Sequence, residues 1–117
     1  MAPRQLKGHL DLLLLAVLDG GPRHGYAIIG SLRDRSEGEF DLPEGTVYPA
    51  LHRLEEDGLV ASRWSVIDGR RRRVYQLTGH GAAALVARRA EWASYTAGVD
   101  AVLGRIKPAR ATTRATA

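Results

Sequence analysis

Four successive arginines, Arg70 to Arg73, follow directly on the dipeptide Asp68-Gly69. Asp-Gly favours a two-residue hairpin turn because both central positions need positive φ. Before the turn, Val60, Trp64 and Val66 fall on alternating positions, which predicts a strand over Leu59–Ile67 with Trp64 in the core. After it, Val74–Leu77 reads as a shorter second strand. Four like charges in a row repel one another unless an anion neutralises them. Residues 59–77 hold five arginines and one aspartate, a net +4, which equals the excess of the whole 117-residue chain. The anion that best fits such a hairpin is a nucleic-acid backbone, with a solvated loop or an acidic protein surface as the alternatives.

The segments before the hairpin are helical. Leu6, Leu10, Leu13, Leu14, Val17 and Leu18 recur at helical spacing, and Leu12, Leu15 and Ala16 fill the other faces. A helix apolar over most of its circumference needs cover on two sides, from its own domain or from a partner chain. Gly20-Gly21-Pro22 stops it. A second helix is predicted over Gly25–Arg35, with Ile28, Ile29 and Leu32 inward, and a third from Pro43 or Glu44 to Asp57-Gly58. Val47, Ala50, Leu51 and Leu54 form the third helix's inner stripe; Gly45, Tyr48, Pro49, His52 and Arg53 collect on the opposite face, with Thr46 at its edge. Asp41 is the expected source of a capping oxygen.

Thr78 offers a cap for a last helix over Gly79–Leu103. Along it Leu85, Trp92, Val99 and Ile106 recur every seven residues, with Tyr95 and Val102 at the partner position of the heptad and Arg88 interrupting it. Leu10, Leu14, Leu85, Trp92, Tyr95, Val99 and Val102 are therefore the expected dimer contacts. Trp92 also suits a flat plate on which a planar ligand could stack between two protomers, with Leu12 and Thr96 as neighbours. The Ala, Thr and Arg-rich tail over 107–117 is expected to be disordered.

The order helix, helix, helix, two-stranded hairpin, helix is that of a winged helix-turn-helix, mainly α with a small β-hairpin. Its expected parts are a DNA-binding domain over 1–78, a dimerisation helix over 79–106 and the tail. The hydrophobic share of 44% and charged share of 26% are those of a globular domain. The absence of cysteine excludes disulfides and thiol chemistry. His9, His24, His52 and His80 lack metal-ligand spacing, no phosphate-loop or nucleophile motif is present, and neither an enzyme nor a cofactor or metal is expected. The longest apolar run, Leu12–Leu18, is far short of the ~20 residues that span a bilayer. No signal-peptide order precedes it, so a cytoplasmic protein without membrane contact is expected.

Several strings resemble the PadR family of bacterial transcriptional regulators. They are Leu6-Lys7-Gly8, His24-Gly25-Tyr26-Ala27-Ile28, Gly45-Thr46-Val47-Tyr48-Pro49-Ala50-Leu51, Leu54 to Val60, and Arg72 to Thr78. The resemblance covers roughly 6–103 and is similar to the short branch of the family with a single C-terminal dimerisation helix. It implies a dimeric winged-helix repressor of a roughly palindromic operator in double-stranded DNA. Gly45, Thr46, Tyr48, Pro49, His52 and Arg53 would belong to the recognition helix, and Gly69 with Arg70, Arg71, Arg72 and Arg73 to the wing. Relatives sense planar or phenolic compounds near the dimer interface, some with a tryptophan at about the place of Trp92. A ligand-binding dimer with secondary DNA function and a winged-helix protein adaptor are the rival readings.

Overall fold

The computed structural model describes residues 8–104. Leu6, Ile106 and the tail lie outside them. The elements run α1 (Leu10–Leu18), β1 (Arg23–His24), α2 (Gly25–Arg35), α3 (Glu44–Glu56), β2 (Val60–Ile67), β3 (Arg70–Leu77) and α4 (Gly79–Leu103). The hairpin is part of a three-stranded antiparallel sheet in the order β1-β3-β2. The added strand is two residues long, pairing Arg23 with Tyr75 and His24 with Val74. Arg23 ties this edge back to α1, its Nε donating to the Val17 carbonyl at 3.3 Å.

Local chemistry accounts for the element ends. The His24 ring accepts from the Ala27 amide and starts α2. The Thr78 hydroxyl accepts from the Gly81 amide at 3.0 Å and donates to the Gly58 carbonyl at 2.7 Å, so one side chain caps α4 and closes the end of α3. No side-chain oxygen caps α3. Asp41 lies two residues ahead of the cap position, which Pro43 occupies with extended backbone, its carbonyl taking the Thr46 and Val47 amides. Asp68 and Gly69 have φ of 53° and 75°, the pairing that a two-residue turn between twisted strands requires.

The core gathers Leu14, Leu15, Val17 and Leu18 of α1, Ile28 and Leu32 of α2, the inner stripe of α3, Val60 and Tyr75 of the sheet, and Leu85 of α4. α1 is thus covered by α2, α3 and α4 of its own chain. Leu14 is 0% exposed and Leu85 3% exposed, so neither is free for the dimer seam on which the apolar excess of α1 and the heptad of α4 placed them. A seven-residue repeat does not distinguish a partner helix from a helix of the same chain, and Leu85 meets α1 first. Gly81, one turn earlier, lets α4 approach the Leu59 carbonyl so closely that a Cβ there would collide with it. Beyond Leu85 no residue of α4 is buried.

Candidate nucleic-acid interface

α3 and the β2–β3 hairpin meet at one cleft through Tyr48. α3 presents Gly45, Pro49, His52 and Arg53 to solvent, with Thr46 and Tyr48 half-buried. Tyr48 does not extend freely outward. Its hydroxyl packs against Gly25 at the start of α2, a place that any Cβ would fill. Burial pushes the Tyr48 phenol above its ordinary pKa, with Glu44 as a second cause, and burial likewise raises Tyr75. A cavity of about 320 Å³ opens beside them, lined by His24, Gly25, Tyr26, Tyr48, Trp64, Tyr75 and Arg71 to Arg73.

The arginines occupy the strand rather than the turn. β3 begins at Arg70, and the register pairs Ile67 with Arg70, Val66 with Arg71, Ser65 with Arg72 and Trp64 with Arg73. Strand alternation puts Arg71 and Arg73 on one face, with Val66 and Trp64, and Arg70 and Arg72 on the other. Trp64 points to the face that holds Val60 and Tyr75, which agrees with the period-two expectation, yet it is 54% exposed and not core. Trp64 there lies against Arg71 and Arg73 and lines the cavity beside Tyr26 and Tyr48 instead of entering the core.

Each arginine has a different degree of restraint. The Arg71 guanidinium carbon lies 4.7 Å from the Trp64 ring centroid, and that of Arg73 5.3 Å from it. Arg72 lies 5.5 Å from the Tyr26 ring. Arg73 also donates through Nε to Ser62 Oγ at 2.9 Å, and Ser62 donates to Glu55 Oε2 at 2.6 Å, linking the wing to the last turn of α3. Arg73 stands 3.9 Å from the same carboxylate. Arg70 and the exposed Arg63 show no ion pair among the described residues.

Arg53 is held as well. Its guanidinium donates to Asp11 Oδ1 of α1 at 2.9 Å, while Asp11 Oδ2 lies 3.8 Å from Arg88 of α4. Asp11 and Arg88 belong to a second cavity, about 340 Å³, lined also by Gly8, His9, Leu12, Glu91, Trp92 and Tyr95. Within it the His9 ring meets Trp92 edge-on at 4.7 Å, and Trp92 lies 5.8 Å from Tyr95. Leu12 and Trp92, expected to be neighbours, line the same cavity. Thr96 is not among the lining residues; its hydroxyl bonds to the Trp92 and Ala93 carbonyls of its own helix. No group of side chains that could hold a metal ion occurs among the described residues.

The transcriptional regulator PadR-like family matches this chain over residues 14–87, from the core face of α1 to just past Leu85. The chain belongs to that family. Solved PadR-family regulators superpose on most of it. That of Clostridium difficile is 35% identical, with a TM-score of 0.74 over 82% of this chain and 99% of that one. That of Eggerthella lenta is 33% identical, with a TM-score of 0.75 over 85% of each chain. The transcriptional regulator Rv3488 of Mycobacterium tuberculosis is 48% identical over 63 residues, 54% of this chain and 46% of that protein. As a PadR-family protein the chain is a DNA-binding transcriptional regulator and not an enzyme. None of its described helices is long and apolar enough to cross a membrane.

Asp11, Tyr26, His9 and the contact of Trp64 with Arg71 and Arg73 were not singled out by sequence reasoning. Asp11 carried a signal, as the one charge inside an otherwise apolar helix. So did Trp64, which shares its strand face with two arginines once the Asp-Gly turn sets the register.

Proposed function

We propose that this PadR-family regulator is a homodimeric repressor of a palindromic operator, released by a small planar or phenolic effector. The observation that carries the DNA contact is the junction of α3 with the arginine wing around one cleft. Gly45, Thr46, Pro49, His52 and Arg53 would enter the major groove, with Arg53 suited to bidentate pairing with guanine. Gly69 and Arg70, Arg71 and Arg72 would follow the phosphates, with Tyr48 at the cleft wall. Arg73 supports them from within.

The second copy is supported by the outer half of α4. Trp92, Tyr95, Val99 and Val102 are all exposed, Val102 at 88%, and Leu10 on α1 is only partly buried. These side chains would pair two chains and hold two recognition helices about 34 Å apart, one turn of DNA. The division between a DNA-binding unit over 1–78 and a dimerisation helix from residue 79 is one of function, since α4 gives Leu85 to the common core.

The effector would enter the α1–α4 cavity, whose aromatic wall of His9, Trp92 and Tyr95 suits a flat ring. Asp11 lines that cavity and also holds Arg53, so a ligand that displaced the carboxylate or Arg88 would act directly on the recognition helix. The test is retention of duplex fragments, the protein's own upstream region included, at two salt concentrations, with mass by sedimentation equilibrium. Selective binding of a palindrome by a dimer is expected. Equal retention of every fragment would overturn the operator reading, and a monomer at DNA-binding concentrations would overturn the dimer.

A further inference from the structure

We infer that Trp64 is a positioning residue for DNA binding: its ring orders the Arg71 guanidinium on the outer wing while bracing Arg73 as a strut to the recognition helix. The inference rests on the reading of the wing as a phosphate-binding element. Trp64 stands directly opposite Arg73 and diagonal to Arg71, two of the three cross-strand neighbours a large ring can reach on one face, Tyr75 being the third. Arg71 and Arg73 are two residues apart on one strand, ~7 Å along it, so a single indole can lie against both guanidinium groups. Their distances, 4.7 and 5.3 Å, are those of cation–π contact.

The two arginines then part in role. Arg73 continues through Ser62 to Glu55, a chain of bonds of 2.9 and 2.6 Å that ends on α3. Its charge is answered by that carboxylate. Arg71 is exposed and makes no ion pair among the described residues, so the ring is its only side-chain restraint there. An unrestrained arginine loses much of its rotamer freedom when it docks on a phosphate. An arginine already laid along an indole has lost part of that freedom beforehand. A tryptophan 54% exposed on a basic hairpin is thereby explained without burial.

The experiment measures affinity and salt slope on duplex DNA for the full chain and for Trp64→Leu, Trp64→Phe, Arg71→Ala and the Trp64→Leu/Arg71→Ala/Arg73→Ala triple variant, beside the double arginine variant. Trp64→Leu is expected to weaken binding about fivefold, the scale of exposed cation–π contacts, with the salt slope unchanged because no charge is lost. Trp64→Phe should recover most of that loss. Arg71→Ala should lower the slope by about 0.9, one phosphate contact. Adding Trp64→Leu to the double arginine variant should change nothing further. A full fivefold loss in that background would show Trp64 touching DNA itself and overturn the inference. Wild-type affinity for Trp64→Leu, with Arg71→Ala still lowering the slope, would overturn it and leave the wing reading standing. An unchanged slope for Arg71→Ala would overturn the wing reading and the inference with it. Thermal unfolding of each variant separates these results from loss of fold.

Discussion

Replacing Asp11 by asparagine removes the carboxylate that holds Arg53 while keeping the side chain's size. The two groups lie 2.9 Å apart with side chains 54% and 28% exposed, a partly solvated pair. Pairs of this kind contribute about 0.2–1 kcal/mol. An Arg53 that turns to a base must leave the carboxylate, so this energy opposes DNA binding and corresponds to about a 1.4- to 5-fold weakening. Asp11→Asn should therefore tighten operator binding within that range. Loss of a negative charge also strengthens attraction to any duplex, and the Arg53→Ala background isolates that general part. The assay is a double-mutant cycle, with anisotropy titrations of operator and scrambled duplex at one salt concentration for wild type, both single variants and the double. Arg53→Ala should relax discrimination by about 1–3 kcal/mol, the worth of a bidentate base contact. The gain from Asp11→Asn should shrink in its presence. If Asp11→Asn instead weakened operator binding as much as Arg53→Ala, the carboxylate would be orienting Arg53 for its base, and the competition argued here would be refuted.

Gly81→Ala should destabilise the fold by about 1–3 kcal/mol in urea unfolding, because the new methyl meets the Leu59 backbone carbonyl, which cannot rotate away. Thr78→Ala should cost about 1 kcal/mol or more in the same assay, since it loses the α4 cap and the bond to Gly58 together. Tyr48 and Tyr75 bind their phenol protons more tightly folded than unfolded, burial being the main cause. Their contribution to stability is thus complete below the ordinary tyrosine pKa of ~10 and is lost as pH rises through the folded-state values. Urea midpoints should fall in that alkaline window and fall less in Tyr75→Phe. Val102→Asp, at a position 88% exposed, should leave the monomer fold intact and abolish self-association by sedimentation equilibrium.

The helices that pack on the core were legible because burial enforces their period. α2 and α4 span the predicted residues, and α3 starts at Glu44, one of its two predicted starts, and ends at Glu56, just before Asp57-Gly58. Alternation and the Asp-Gly turn likewise disclosed the hairpin. What escaped notice shares a physical cause: it depends on where the domain ends. β1 is two residues long and follows Gly20-Gly21-Pro22, so it has no period to read; only the free edge of β3 makes it a strand. The arginines from Arg70 onward looked like a loop because β3 carries no apolar side chain on either face there, yet backbone pairing with β2 continues to the turn. Trp64 has the alternation of a core residue and sits beyond the core's edge. Arg88, a flaw in the heptad, becomes intelligible beside Asp11, a contact that needs α1 and α4 already packed together.

α1 joins these features. Its inner leucines are spent on the core of its own chain, so the excess of apolar surface that suggested a partner is only partly available to one. What remains partly exposed is Leu10, Leu12, Leu13 and Ala16, with Asp11 among them. That leaves α4 beyond Leu85 to supply most of any seam, a stretch of 18 residues from Val86 to Leu103 with no buried side chain. Helices in proteins draw most of their stability from tertiary packing, of which this stretch has little, and Gly98 within it lowers its helix propensity further. Pairing with a second copy would order the same turns that carry Trp92 and Tyr95, and would bring the cavity beside Asp11 to its working shape. Stability, cavity and recognition helix would then depend on one association equilibrium. The midpoint of thermal unfolding should accordingly rise with protein concentration, and Val102→Asp should remove that dependence while leaving the Asp11–Arg53 distance unchanged.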